Sequence, residues 1–245
     1  MAVHFTGPIL FAGKDGQREW FGNLPIDKNP DFVVYFDDFT GVTLDNTNDW
    51  TVVKDSSASA AIGADQESGT LVLSSQATTD NDGASIQGNE IFKIATGASG
   101  RDIWYETKVK VADADQTDLS IGMTVNFATN PEAMLAAADR IVFESDDGTA
   151  TLQCITEKDG TETATALSSD FDLSDDTFVT LGFKVSGKDR TSAIVEFYVN
   201  RTKVATHTTN IPDDENLALG AMELSGDASG TKTATIDYIF ACQNR

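Results

Sequence analysis

From Phe32 onward the apolar residues recur at every second position, and that period belongs to extended strands with one buried face. Leu119, Ile121, Met123, Val125 and Phe127 alternate with Ser120, Gly122, Thr124 and Asn126. Just before them, Ile103, Tyr105, Thr107, Val109 and Val111 stand opposite Glu106, Lys108 and Lys110. Val179, Leu181, Phe183 and Val185 repeat the pattern, as do Ala193, Val195, Phe197 and Val199. A helix needs apolar spacings of three and four, so these runs restrict most of the chain to β-structure.

The segments between the runs carry hairpin chemistry: Asp146-Asp147-Gly148, Lys158-Asp159-Gly160, Ser186-Gly187-Lys188-Asp189 and Asn200-Arg201. Asp, Asn and Gly tolerate the left-handed backbone that tight hairpins require. About a dozen short strands joined this way form an antiparallel meander that stacks into two sheets. One helix is expected over residues 131–138, with Asn130 as cap and Pro131 at the first helical position. Residues 1–30 read differently. Gly7, Pro8, Gly13, Gly16, Gly22, Pro25 and Pro30 break every element there, yet Phe5, Ile9, Phe11, Trp20 and Phe21 are large and apolar. Breakers interleaved with anchors predict an extended arm, 1–30, ahead of a β-sandwich, 31–245.

The 39 acidic residues against 17 basic ones give a net charge of −22, spread through turns. A surface of that sign repels nucleic acid and keeps a crowded assembly soluble. No apolar run has the length of a membrane span, and the Pro8–Ala12 stretch lacks the basic flank and length of a secretion signal. Synthesis in a cytoplasm without a signal peptide is the expectation. Cys154 and Cys242 lie far apart inside apparent strands, where small buried thiols are the ordinary finding; a bridge between them stays open.

The stretch Val195-Glu196-Phe197-Tyr198-Val199-Asn200-Arg201-Thr202-Lys203-Val204-Ala205-Thr206 resembles the strand, tight turn and strand found late in concanavalin A-like, laminin-G-like jelly rolls. Tyr35-Phe36-Asp37-Asp38-Phe39-Thr40-Gly41, with Trp50 soon after, looks like the opening strand and first loop of that fold. Ala234-Thr235-Ile236-Asp237-Tyr238-Ile239-Phe240 looks like its closing strand. The resemblance implies an all-β, two-sheet antiparallel jelly-roll sandwich whose opening and closing strands lie side by side. Some proteins of that fold bind calcium where those strands meet, and Asp37, Asp38 and Asp237 are the candidate oxygen donors here; the alternative is that Asp37 and Asp38 cap a strand and Asp237 is exposed on an edge, and no other cofactor is expected.

Glycan hydrolases of this fold carry roughly Glu-x-Asp-x-x-Glu on a strand, one carboxyl serving as acid and the other as nucleophile. The nearest stretch, Glu144-Ser145-Asp146-Asp147-Gly148, lacks the last glutamate and runs into a turn. His4 and His207 have no serine or cysteine arrangement beside them, so no triad is expected. Trp20, Trp50 and Trp104 are the tryptophans available as sugar platforms, with burial the commoner role.

Among proteins with such a fold, the unexported start, the arm and the acidity look most like a tailed-phage capsid decoration, or cement, protein. The expectation is therefore a non-enzymatic virion component on the capsid exterior. It would bind the major capsid protein through Phe5, Ile9, Phe11, Trp20 and Phe21, form homo-oligomers, and engage neither nucleic acid nor membrane. The alternative is a lectin-like module that binds a glycan at the host surface. A third reading, hydrolysis, requires neighbouring carboxylates open to a groove.

Overall fold

The computed structural model describes residues 32–64, 69–75, 79–127 and 129–245. The arm expected over 1–30, with Phe5, Ile9, Phe11, Trp20 and Phe21, lies outside these residues, as do His4 and Trp20's neighbours. In chain order the strands are β1 (Phe32–Asp37), β2 (Thr51–Lys54), β3 (Ser59–Ile62), β4 (Leu71–Ser74), β5 (Gly83–Gln87), β6 (Phe92–Lys93), β7 (Ile103–Val111) and β8 (Thr117–Thr124). They continue with β9 (Arg140–Ser145), β10 (Gln153–Lys158), β11 (Thr161–Ala166), β12 (Val179–Ser186), β13 (Ile194–Val199), β14 (Thr202–His207), β15 (Asn216–Ser225) and β16 (Thr233–Asn244).

The strands form two eight-stranded antiparallel sheets, as the alternation predicts. The first runs β14-β13-β12-β7-β16-β4-β3, with β1 also paired to β16; the second runs β11-β10-β9-β8-β15-β5-β2, with β6 on β15. Opening and closing strands are neighbours: Phe36 faces Phe240 and Asp37 faces Ile239 across β1 and β16. The inward residues of both sheets make one core, in which Tyr105 stacks on Phe183 at 4.7 Å and Phe143 meets Phe197 edge-on at 5.3 Å. Such aromatic pairs add to stability beyond the area they bury.

The turns behave as their residues dictate. Asp159 and Gly160 take φ of 51° and 71°, and Asn200 and Arg201 take 47° and 65°, the left-handed pairs that two-residue hairpins need. The expected helix is shorter than the sequence implies. A single 3₁₀ turn covers Pro131–Met134, and Asn130 makes no side-chain capping bond. Met134 is wholly buried on the second sheet, so packing of that one turn outweighs the helix propensity of the alanines after it. Cys154 lies in the core while Cys242 joins Phe240 in a cluster with Phe32, Trp104 and Tyr238, and both thiols are free. Burial pushes the Cys242 thiol up to about 12.

Candidate functional site

The outer face of the second sheet is set by the parity of β9. Ile141 and Phe143 enter the core, which turns Arg140, Val142 and Glu144 outward. The tight turn at Asp159-Gly160 pairs Glu157 with Glu162, and β9 pairs Glu157 with Arg140. Three strands thus bring three glutamates to one guanidinium. Arg140 donates from Nη1 to Glu144 Oε2 at 2.6 Å, from Nε to Glu157 Oε2 at 2.7 Å and from Nη2 to Glu162 Oε2 at 2.9 Å. The Arg140 side chain is 5% exposed, those of Glu144 and Glu157 9% and 13%, and that of Glu162 41%, so the cluster opens to solvent on its β11 side.

Burial pushes the Glu144 carboxyl up to about 7, although Arg140 pulls the other way; Asp146 and Glu162 add to the rise. Near neutrality this group carries a transferable proton, the property required of a general acid. Its neighbours along the sheet are Ser120 on β8 and Gln153 on β10. Beyond Gln153, the exposed Ala164 and Ala166 of β11 leave a low strip beside the carboxylates.

The middle of the same face is occupied by the segment between β8 and β9. Phe127 and Met134 pack with Val142, Ile155, Met222 and Leu224 in a second apolar cluster. Gln87 Oε1 accepts the Phe127 N–H at 3.0 Å and Glu90 accepts the Asn126 N–H at 2.8 Å, which ties the segment to the β5 side. Gly220 makes room: a Cβ there would sit 3.0 Å from the Phe127 ring and 3.2 Å from the Met134 methyl.

The three aspartates expected to hold calcium are each engaged elsewhere. Asp37 accepts the Phe39 N–H at 2.8 Å and the Trp50 indole N–H at 2.9 Å. Asp38 accepts from the Thr40 hydroxyl at 3.1 Å, and Asp237 pairs with Lys108 at 2.5 Å. Among the described residues no three His, Cys, Asp or Glu side chains are grouped so as to hold a metal ion. Trp50 is buried, while Trp104 lies on the outer face of the first sheet with the Lys184 ammonium 5.9 Å from its ring centre. His207 is enclosed between the Thr156 and Thr165 hydroxyls, at 2.9 Å from each.

Sequence reasoning met Glu144 only in an incomplete match to the hydrolase motif, named no catalytic residue, and missed Arg140, Glu157 and Glu162. The expected motif places its carboxylates along one strand, whereas here the outward positions of β9 are Arg140, Val142 and Glu144, and the other two acids come from β10 and β11. The signal present in the sequence is the two-residue turn, whose register alone places Glu157 opposite Glu162.

The fold defined by these sheets is the concanavalin A-like jelly roll. An endo-1,3-beta-glucanase from Streptomyces sioyaensis shares it with a TM-score of 0.61 over 89% of this chain and 98% of its own, at 11% identity. A Bacteroides ovatus mixed-linkage glucan GH16 protein in complex with an oligosaccharide product does so with a TM-score of 0.59, 84% and 98% coverage, and 13% identity. A Shewanella oneidensis protein of unknown function gives a TM-score of 0.57, 87% coverage of each chain and 17% identity. No family profile and no curated protein sequence matches the chain. At these identities the property held in common is the fold.

This comparison corrects the expectation of a non-enzymatic phage capsid decoration protein. Solved structures that match the sandwich across nearly their full length bear the names of carbohydrate-cleaving proteins, such as the Streptomyces glucanase above, a prokaryotic lichenase and a glucuronan lyase from Trichoderma reesei. An acidic surface is a statement about solubility and association and does not select a virion role over a role on glycans. The expectation that the chain is not an enzyme is corrected on the same finding.

Proposed function

We propose that the chain acts on neutral glycans, with the carboxylates around Arg140 as its acidic centre. The observation that carries this reading is the convergence of Glu144, Glu157 and Glu162 on one guanidinium, with Glu144 raised to about 7. Glycoside cleavage needs a carboxyl that holds a proton near neutrality beside a second carboxyl, and burial raises Glu144 in that direction. Glu144 is the proton donor to the departing glycosidic oxygen. Glu162, the most exposed of the three, is the carboxylate that meets water or the sugar carbon from the β11 side.

Arg140 orients both acids without touching substrate. The names of the fold neighbours, glucanases among them, support a β-glucan as the substrate class. The charge of −22 favours an uncharged polymer over a polyuronate.

The test is release of reducing ends from neutral β-glucans by the wild type, Glu144→Gln and Glu162→Gln. Loss of the proton donor is expected to lower turnover by about 10²–10⁴-fold. Wild-type turnover retained in Glu144→Gln, or no turnover of any neutral glucan by the wild type, would overturn the assignment of this centre.

A further inference from the structure

On the far flank of the second sheet, separated from β9 by β15 and β8, lies a cleft of about 230 Å³ lined by Tyr35, Asp49, Gly88, Asn89, Ile91, Phe92 and Leu219. It is the place where the start of β2, the end of β5 and the opening strand β1 come together. Trp50, fixed by its indole bond to Asp37 and its edge-on contact with Tyr35 at 5.6 Å, holds the Tyr35 wall upright. Phe92 and Leu219 are fully or almost fully buried and form an apolar floor, and Ile91 stands exposed at the rim. Gly88 contributes backbone alone to the lining.

Two polar side chains complete the lining. Asp49 and Asn89 are exposed, and neither side chain donates or accepts a hydrogen bond among the described residues. Burial and the nearby Asp37 and Asp49 push the Tyr35 phenol upward, so it stays a neutral donor. An aromatic wall, an apolar floor, one carboxylate and one amide converge on a space smaller than the ~300–1,000 Å³ typical of sites for larger organic ligands. A pyranose ring has the matching chemistry: an apolar face of C–H groups, and vicinal hydroxyls that donate to a carboxylate and exchange bonds with an amide.

We infer that this cleft seats one neutral hexose unit, held by Asp49 and Asn89 against Tyr35. A uronate or sulfated sugar is rejected, since its anionic group would lie beside Asp49 in a strongly negative field. The inference deepens the glycan reading above, because it assigns a substrate-binding position apart from the acidic centre. Asp37 does not line the cleft; its oxygens accept from the Phe39 N–H and the Trp50 indole.

The experiment titrates a neutral β-glucan tetrasaccharide, and separately a glucuronate tetrasaccharide, into the full chain while following backbone amide resonances and heat. The neutral sugar is expected to move the amides of Gly88 and Asn89, and the glucuronate to leave them in place. Asp49→Ala and Asn89→Ala, checked for wild-type melting behaviour, are expected to weaken binding at least about tenfold, since each removes a bond to a ligand hydroxyl. Glu144→Gln should leave these amide shifts unchanged. Binding of the neutral sugar that is insensitive to both cleft variants, or shifts absent from Gly88 and Asn89, would overturn the cleft while leaving the Arg140 centre standing. Cleft binding with no turnover would overturn that centre and support the cleft.

Discussion

Glu223 is the only residue of β15 whose carboxyl is directed into the sandwich interior: it faces Leu119 and Ala84 on the neighbouring strands, is fully buried, and neither oxygen has a hydrogen-bond partner among the described residues. Burial raises it from 4.5 to about 9, with Ser75 and Lys232 offsetting part of the rise. Between those two values the folded chain keeps a proton that the unfolded chain has shed, so stability falls as pH rises through that window. Glu223→Gln removes the titration. It is expected to raise stability near neutrality by about 1–3 kcal/mol and to flatten the alkaline side of a melting-temperature profile. His207 works in the opposite sense. Burial lowers its affinity for a proton, so the unfolded chain binds one first as pH falls below about 6.5, and stability declines on the acid side. His207→Gln should remove the acid slope in the same melting series. Arg140→Leu strands three glutamates on one face and should cost about 3 kcal/mol in denaturant unfolding.

Turns and the segment over the second sheet illustrate how elements are held. Gly160 has φ of 71° and open space where a Cβ would stand, so Gly160→Ala measures backbone strain alone, about 1 kcal/mol. Gly69, at φ 77°, would place a Cβ 2.6 Å from the Asp38 carbonyl, so the same substitution there should cost clearly more, and paired urea titrations decide the order. The strands and these turns were legible because period two and left-handed residues are local signals. The segment over residues 131–138 was misread because its fate is tertiary: Met134 and Phe127 drop into a space left by Gly220, a residue ninety positions away. The acidic centre was half legible. Glu144 was visible only in an incomplete motif next to a turn, and its partners become neighbours only through the register of β9, β10 and β11. Tyr35, Asp49 and Asn89 carried no joint signal at all, since Tyr35 lies within β1, Asp49 precedes β2 and Asn89 follows β5.

At the scale of the molecule, a charge of −22 on one sandwich makes self-repulsion a general term, and raising ionic strength across the physiological range should increase the melting temperature. Neutral point changes that leave the surface acidic should preserve that salt slope. The order in which the sheet is assembled has a further consequence. β16 sits between β7 and β4 and also carries β1, so the strand that unites the first sheet is the last one of the sandwich to leave the ribosome. Until it emerges, three earlier strands wait with open edges, a state that invites pairing with other nascent chains. Translation arrested before Thr233 should yield a protease-sensitive product, and slow synthesis of the preceding region would lengthen the interval in which chaperone protection decides the yield.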